Sequence, residues 1–165
     1  MSVEEREVSD ENDPILISQT RPYLVRRSVF RNPRKSVFNN APGDSALELD
    51  FARWLDQEAE DVAAFAKNEV AVGFNVNYIG DMGGIRKYIP DFVVRTTLGR
   101  MYVVETKGLE TADVARKDNR MRQWCRTASQ LTSDEWRYVK VLEDIFRNRG
   151  NWRSLTQLEE AIGCR

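Results

Sequence analysis

The chain has 165 residues, 41% hydrophobic and 31% charged, with 25 Lys+Arg against 26 Asp+Glu and no histidine, which is the size and balance of one soluble globular domain. Without histidine, Ser-His-Asp and Cys-His catalysis, His-ligated zinc and histidine general bases are excluded, and any enzymatic chemistry falls to carboxylates and lysines. Cys125 and Cys164 fit neither a zinc spacing nor a disulfide scaffold, no apolar run approaches the roughly 20 residues that span a bilayer, and the acidic N-terminus is unlike a secretory signal; the expectation is a cytoplasmic chain with reduced thiols and no membrane role.

Charge is unevenly placed. Glu4, Glu5, Glu7, Asp10, Glu11 and Asp13 face only Arg6 in the first 20 residues, whereas Arg21, Arg26, Arg27, Arg31, Arg34 and Lys35 have no acid among them. Either a basic strip for a phosphate backbone follows an acidic lead, or this is a solvated charged surface. With Pro14, Pro22, Pro33 and Pro42 and no sustained period, residues 1–43 read as an extended, partly disordered arm with one short strand near Tyr23–Val29. The compact domain is then 44–165.

Leu47, Phe51, Trp54 and Leu55 fall at helical spacing and predict a helix over Ser45–Gln57, with Asp44 or Ser45 as N-cap. A second helical stretch is expected at Asp61–Lys67. Val72, Phe74, Val76 and Tyr78 alternate with small or polar residues, which predicts a strand ending at the Gly80–Gly84 turn. Lys87–Thr96 and Arg100–Lys107 read as two more strands, joined by Thr97-Leu98-Gly99. Val114, Met121, Trp124, Cys125, Ala128 and Leu131 mark one face of a following helix. Trp136–Val141 reads as a fourth strand, and one or two short helices fill Leu142–Ile162. The order helix, three strands, helix, strand predicts an α/β fold with a mixed central sheet.

Register arithmetic on the hairpin locates the chemistry. A three-residue loop pairs Arg95 with Met101, Val93 with Val103 and Asp91 with Glu105, and directly opposed residues share a face. Alternation adds Lys107 to that face. A two-residue loop would instead set Thr106 opposite Asp91. Two close carboxylates resist joint ionisation unless a cation compensates. Oxygen ligands suit Mg²⁺, which polarises a phosphodiester and acidifies a bound water while a lysine assists the attack. The alternative is an ordinary cross-strand charge cluster.

Tyr88-Ile-Pro-Asp91-Phe and Val104-Glu105-Thr-Lys107-Gly108 together resemble the PD-(D/E)xK nuclease signature, and the element order is similar to that superfamily's restriction-endonuclease-like core. Ala66-Lys-Asn68, Gly73–Tyr78 and Trp124-Cys125 extend the resemblance, over roughly residues 44–141, to the C-terminal endonuclease domain of restriction helicases such as the type III restriction subunit. The resemblance implies that Asp91 and Glu105 ligate Mg²⁺, for which Mn²⁺ can substitute. It also makes the Thr106 carbonyl an additional ligand and has Lys107 act on the attacking water. Those subunits carry an ATP-driven motor, whereas this chain has no Walker-type glycine loop, so no ATP site is expected.

The superfamily often takes a further acid from its first core helix, and Glu48 is the candidate here; Ser45-Ala-Leu-Glu48 is equally a capping box. Lys117, on the inward side of the second core helix, either reaches the phosphate or carboxylate site or packs its stem and sends its head to water. Arg116 and Arg120, with Arg122 and Arg126, either bind DNA backbone or form a solvated basic face. The expected function is a Mg²⁺-dependent DNA endonuclease whose partners are DNA, a helicase motor or modification subunits, and a second copy for double-strand cleavage. A non-cleaving DNA-binding or subunit-docking module and a junction nuclease are the alternatives.

Overall fold

The computed structural model describes residues 16–80, 82–107, 114–148 and 151–163; the acidic residues 4–13, and Cys164, lie outside them. In chain order the elements are β1 (Val29–Arg31), β2 (Asn40–Pro42), α1 (Ala46–Gln57), β3 (Val62–Lys67), β4 (Val76–Ile79), β5 (Ile85–Tyr88), β6 (Phe92–Thr96), β7 (Met101–Lys107), α2 (Val114–Leu131), β8 (Trp136–Leu142), α3 (Glu143–Asn148) and α4 (Leu155–Gly163). The architecture is mixed α/β around a four-stranded sheet of order β3-β6-β7-β8, antiparallel except for the parallel pair β7 and β8. Parallel neighbours need a long crossover, and α2 supplies it.

Strand alternation divides the interior in two. Tyr102 and Val104 of β7 point into a core with Phe51, Leu55, Phe65, Phe92, Val94, Val139 and Val141, covered by α1, α3 and α4. Val103 points the other way, to Met121 and Cys125 of α2 and to Val76, Tyr78 and Tyr88. Each fully buried aliphatic or aromatic side chain contributes about 1.5–3 kcal/mol relative to exposure. Phe51 meets Phe92 edge to face at 5.4 Å between ring centres, and Trp124 meets Phe74 and Trp136 at 5.1 Å each. The tryptophans are thus packing residues, as Trp54 also is, its indole N–H donating to the Trp152 carbonyl at 2.9 Å.

Several sequence expectations change. Asp61–Lys67 is not helical: its Val62–Lys67 portion is the edge strand β3, paired with β6. The alanines favour a helix locally, but the gain from pairing with β6 and burying Phe65 overrides that preference. The expected strand Gly73–Tyr78 shortens to β4 and leaves the central sheet for a two-stranded ribbon with β5. Lys87–Thr96 is two strands, because Pro90 cannot donate to a ladder and the chain turns from ribbon to sheet there. Helix, three strands, helix, strand therefore does describe the central layer, but its first strand is β3.

The arm also differs. No strand forms over residues 23–28; instead β1 and β2 pair with each other, Ala41 is fully buried against α1, and Ser36 bridges Phe65 beside β3. Within residues 29–42, Ala41 and Pro42 are buried and the rest are half-buried or exposed. Leu131, expected on the inward face of α2, is exposed at the helix end, where the sheet no longer covers it. No helix among the described residues is long and apolar enough to cross a membrane.

Candidate active site

The hairpin of β6 and β7 has the register that a three-residue loop dictates. Arg95 faces Met101, Val93 faces Val103 and Phe92 faces Val104. The loop closes with Gly99 N–H on the Thr96 carbonyl at 3.0 Å, and Gly99 has φ +82°, a left-handed conformation that glycine adopts without a Cβ penalty. One step beyond Phe92, Asp91 lies in a bend at the mouth of the hairpin, where its side chain meets Thr106, the residue between Glu105 and Lys107 on β7. Asn68 fixes its backbone: the Asn68 amide donates to the Asp91 carbonyl at 2.7 Å, and its side-chain nitrogen donates to the Pro90 carbonyl at 2.8 Å.

The two carboxylates have different partners. Asp91 Oδ2 accepts the Thr106 amide at 2.8 Å and the Thr106 hydroxyl at 2.7 Å, and Asp91 Oδ1 pairs with Lys67 Nζ at 3.3 Å. Glu105 Oε2 instead accepts the Tyr88 hydroxyl at 3.0 Å. Burial, and then the charge of Asp91, push Glu105 up to about 7 against the opposing pull of Tyr88, Lys107 and Lys117. That mutual influence places Asp91, Glu105 and Lys107 in one electrostatic neighbourhood.

Lys67 is the residue sequence reading missed. It is 3% exposed, ends β3, and bridges Asp91 to Glu48, with Nζ 3.1 Å from Glu48 Oε2 and 5.1 Å from the Phe92 ring centre. Burial disfavours its charge, but Asp91 and Glu48 outweigh that and raise it above the ordinary lysine value. Reading its segment as a helix hid it; as the last residue of a strand it falls on the Phe65 face by simple alternation.

Glu48 completes the capping box and also pairs with Lys67. The Ser45 hydroxyl, not Asp44, caps α1 by accepting the Glu48 amide at 3.2 Å, and the Glu48 carboxylate reaches back to the Asp44 amide at 3.1 Å while holding Lys67. Lys117 turns inward: its ammonium lies 5.7 Å and 5.9 Å from the ring centres of Tyr78 and Tyr88, a cation–π seat next to Glu105. Arg120 is half-buried and its Nε donates to the Asn77 carbonyl at 2.9 Å, so it ties α2 to β4 rather than standing out as a free backbone contact. Arg116 is exposed on α2.

Behind Glu105 lies a second cluster without a sequence expectation. The Tyr88 and Tyr138 hydroxyl oxygens are 3.2 Å apart, Tyr138 donates to Asp118 Oδ1 at 2.8 Å, and Lys140 Nζ reaches Asp118 Oδ2 at 2.7 Å. Asp118 was legible in principle, since Asp118, Met121 and Cys125 recur at the i, i+3, i+7 spacing of a buried stripe.

Among the described residues, no group of three or more His, Cys, Asp or Glu side chains is arranged to hold a metal ion. The oxygen donors nevertheless leave room for one shared by two acids. Oδ2 of Asp91 already accepts two hydrogen bonds, but Oδ1 has only the Lys67 contact among the described residues, and a carboxylate oxygen accepts about two. A cation held by Asp91 Oδ1 and Glu105 would also relieve the repulsion that raises Glu105. Comparison with known proteins finds no matching family model, no matching curated protein and no matching solved structure.

Proposed function

We propose that this chain is a metal-dependent DNA endonuclease domain with a restriction-endonuclease-like core of the PD-(D/E)xK kind, similar to the nuclease domain of type III restriction subunits. The supporting observation is the hairpin end at which Asp91 bonds Thr106, between Glu105 and Lys107 on β7, inside a core whose order is helix, three strands, helix, strand. Asp91 and Glu105 would hold Mg²⁺ or Mn²⁺, with the Thr106 carbonyl as a third donor. The ion supplies polarisation of the phosphodiester and a bound water of lowered pKa.

The residues of the chain do the rest. Thr106, through its amide and hydroxyl, and Asn68, through the backbone, hold Asp91 in place. Lys107 orients the attacking water and takes part in balancing the charge at Glu105. Lys67 offsets one of the two charges of Asp91 and Glu48, so that the three together carry a net charge of −1. Lys117, beside Tyr88, would meet a phosphate approaching between α2 and β5.

One observation favours a second reading, a non-cleaving DNA-binding or docking module: Lys67 already compensates Asp91 and Glu48 without any metal. Cleavage of supercoiled and linear DNA in Mg²⁺, Mn²⁺ or EDTA decides between them, with folded Asp91→Ala and Lys107→Ala variants alongside. Metal-dependent cutting that both substitutions abolish establishes the nuclease. Salt-sensitive DNA binding without cutting, and without Mn²⁺ binding, establishes the module.

A further inference from the structure

The acid most exposed to the consequences of burial, Glu105, is held by no formal cation at hydrogen-bonding distance among the described residues. Its partner there is the neutral Tyr88 hydroxyl. Yet in the parallel register of β7 and β8, Glu105 stands directly opposite Lys140. The Lys140 ammonium goes to Asp118 of α2, which is 6% exposed and also accepts from Tyr138. Tyr138, two residues before Lys140, projects from the same face of β8 and touches the Tyr88 hydroxyl. Four elements, β5, β7, β8 and α2, therefore meet in one set of polar contacts running Glu105, Tyr88, Tyr138, Asp118, Lys140, in which each phenol gives its one proton to its acid and the two phenol oxygens touch at 3.2 Å without a proton between them.

Such a chain is sequestered: Tyr88 is 4% exposed, and it packs with Val76, Tyr78, Val103, Met121 and Cys125. Burial above all, and then the neighbouring acids, raise both phenols above the ordinary tyrosine range, so both stay neutral hydroxyls at any working pH. A neutral donor orients a carboxylate without cancelling its charge. An ammonium in the same place would cancel it and compete with any divalent ion.

We infer that Tyr88, with Tyr138, Asp118 and Lys140 behind it, is a positioning network that fixes the Glu105 carboxylate for a divalent cation while keeping the charge of Lys140 away from it. In its claim on metal affinity this rests on the proposed nuclease site; in its claim on geometry it stands alone. Partners that orient metal-binding side chains typically change affinity by about 10-fold to 100-fold when removed. A connected set also behaves as a unit, so its members are not additive.

The test uses the full chain and Mn²⁺ alone, titrated into the protein as it stands and into Tyr88→Phe, Tyr138→Phe and the double variant, each checked for an unchanged melting profile. Tyr88→Phe should weaken Mn²⁺ binding by roughly tenfold, Tyr138→Phe by less, and the double variant no more than Tyr88→Phe. Wild-type affinity in Tyr88→Phe, or strictly additive losses, overturns the network. If the unaltered chain binds no Mn²⁺, the nuclease reading fails and the geometry is decided separately by carbon-13 spectra of the glutamate side-chain carboxyls. There the resonance lost in Glu105→Gln should move in Tyr138→Phe, although Tyr138 does not touch Glu105; an unmoved resonance overturns the network.

Discussion

The two sides of the central sheet treat a buried acid in opposite ways. On the α1 side, Glu48 and Asp91 share the ammonium of Lys67, a compensation by formal charge. On the α2 side, Glu105 is oriented by the Tyr88 hydroxyl, and the cations of its surroundings, Lys117 over the tyrosine rings and Lys140 on Asp118, are held off it. The first arrangement sets one ammonium against two carboxylates; the second leaves Glu105 with a neutral hydroxyl and no cation at hydrogen-bonding distance among the described residues. On the proposed nuclease reading, a divalent ion between Asp91 and Glu105 would relieve Glu105, whose proton burial and the charge of Asp91 hold more tightly.

Removing the cation from the α1 side should have the largest effect on stability. Lys67→Met leaves the buried Glu48 and the half-buried Asp91 without their shared ammonium, and because both keep hydrogen bonds the loss should be up to about 3 kcal/mol, read as a lower midpoint in urea. Glu48→Gln in the same chain should restore part of it; if Lys67→Met alone is neutral, the charge compensation is not what holds this side together.

The α2 side is probed by pH. Glu105 is raised from 4.5 to about 7 in the folded, metal-free chain, so the native state binds its proton more tightly than the unfolded chain does. The stability this provides is fully present below about 4.5 and is lost as pH rises through about 7. Melting temperatures recorded across that window should fall with pH in the native sequence and fall less in Glu105→Gln. Equal slopes would mean that other groups set the dependence.

Smaller effects sharpen the contrast. Ser45→Ala removes the cap of α1 and should cost about 1 kcal/mol, measurable by denaturant titration, with no change at the Glu105 side. Cys125, on the α2 side, is pushed up to about 12 by burial. In a Cys164→Ser background it should resist a thiol reagent at pH 8 until the chain is unfolded; rapid labelling of the folded chain would show that α2 opens away from the sheet.

The parts of this site that were legible in the sequence are those set by short-range geometry. A loop ending in Gly99 fixes a three-residue turn, and the turn fixes the register of β6 on β7 as far as Phe92 and Val104. The capping box of α1 is equally local, four consecutive residues that satisfy one another's orphan groups. Apolar spacing on α2 found Met121, Trp124 and Cys125 for the same reason.

What the sequence left hidden depends on partners distant in the chain. Whether Asp61–Lys67 forms helix or strand turns on β6, some 25 residues later, and with that choice goes the position of Lys67. The Tyr88 and Tyr138 contact joins residues 50 apart, and Asp118 becomes an anchor only when β8 lies parallel to β7. Local backbone preference is worth only tenths of a kcal/mol per residue, so tertiary burial and pairing overrule it where the two disagree. By itself the sequence determined the hairpin and its register; only the tertiary structure decided which cations reach Asp91 and Glu105 and which are kept away, because pairing charges requires elements that meet through packing rather than through the chain.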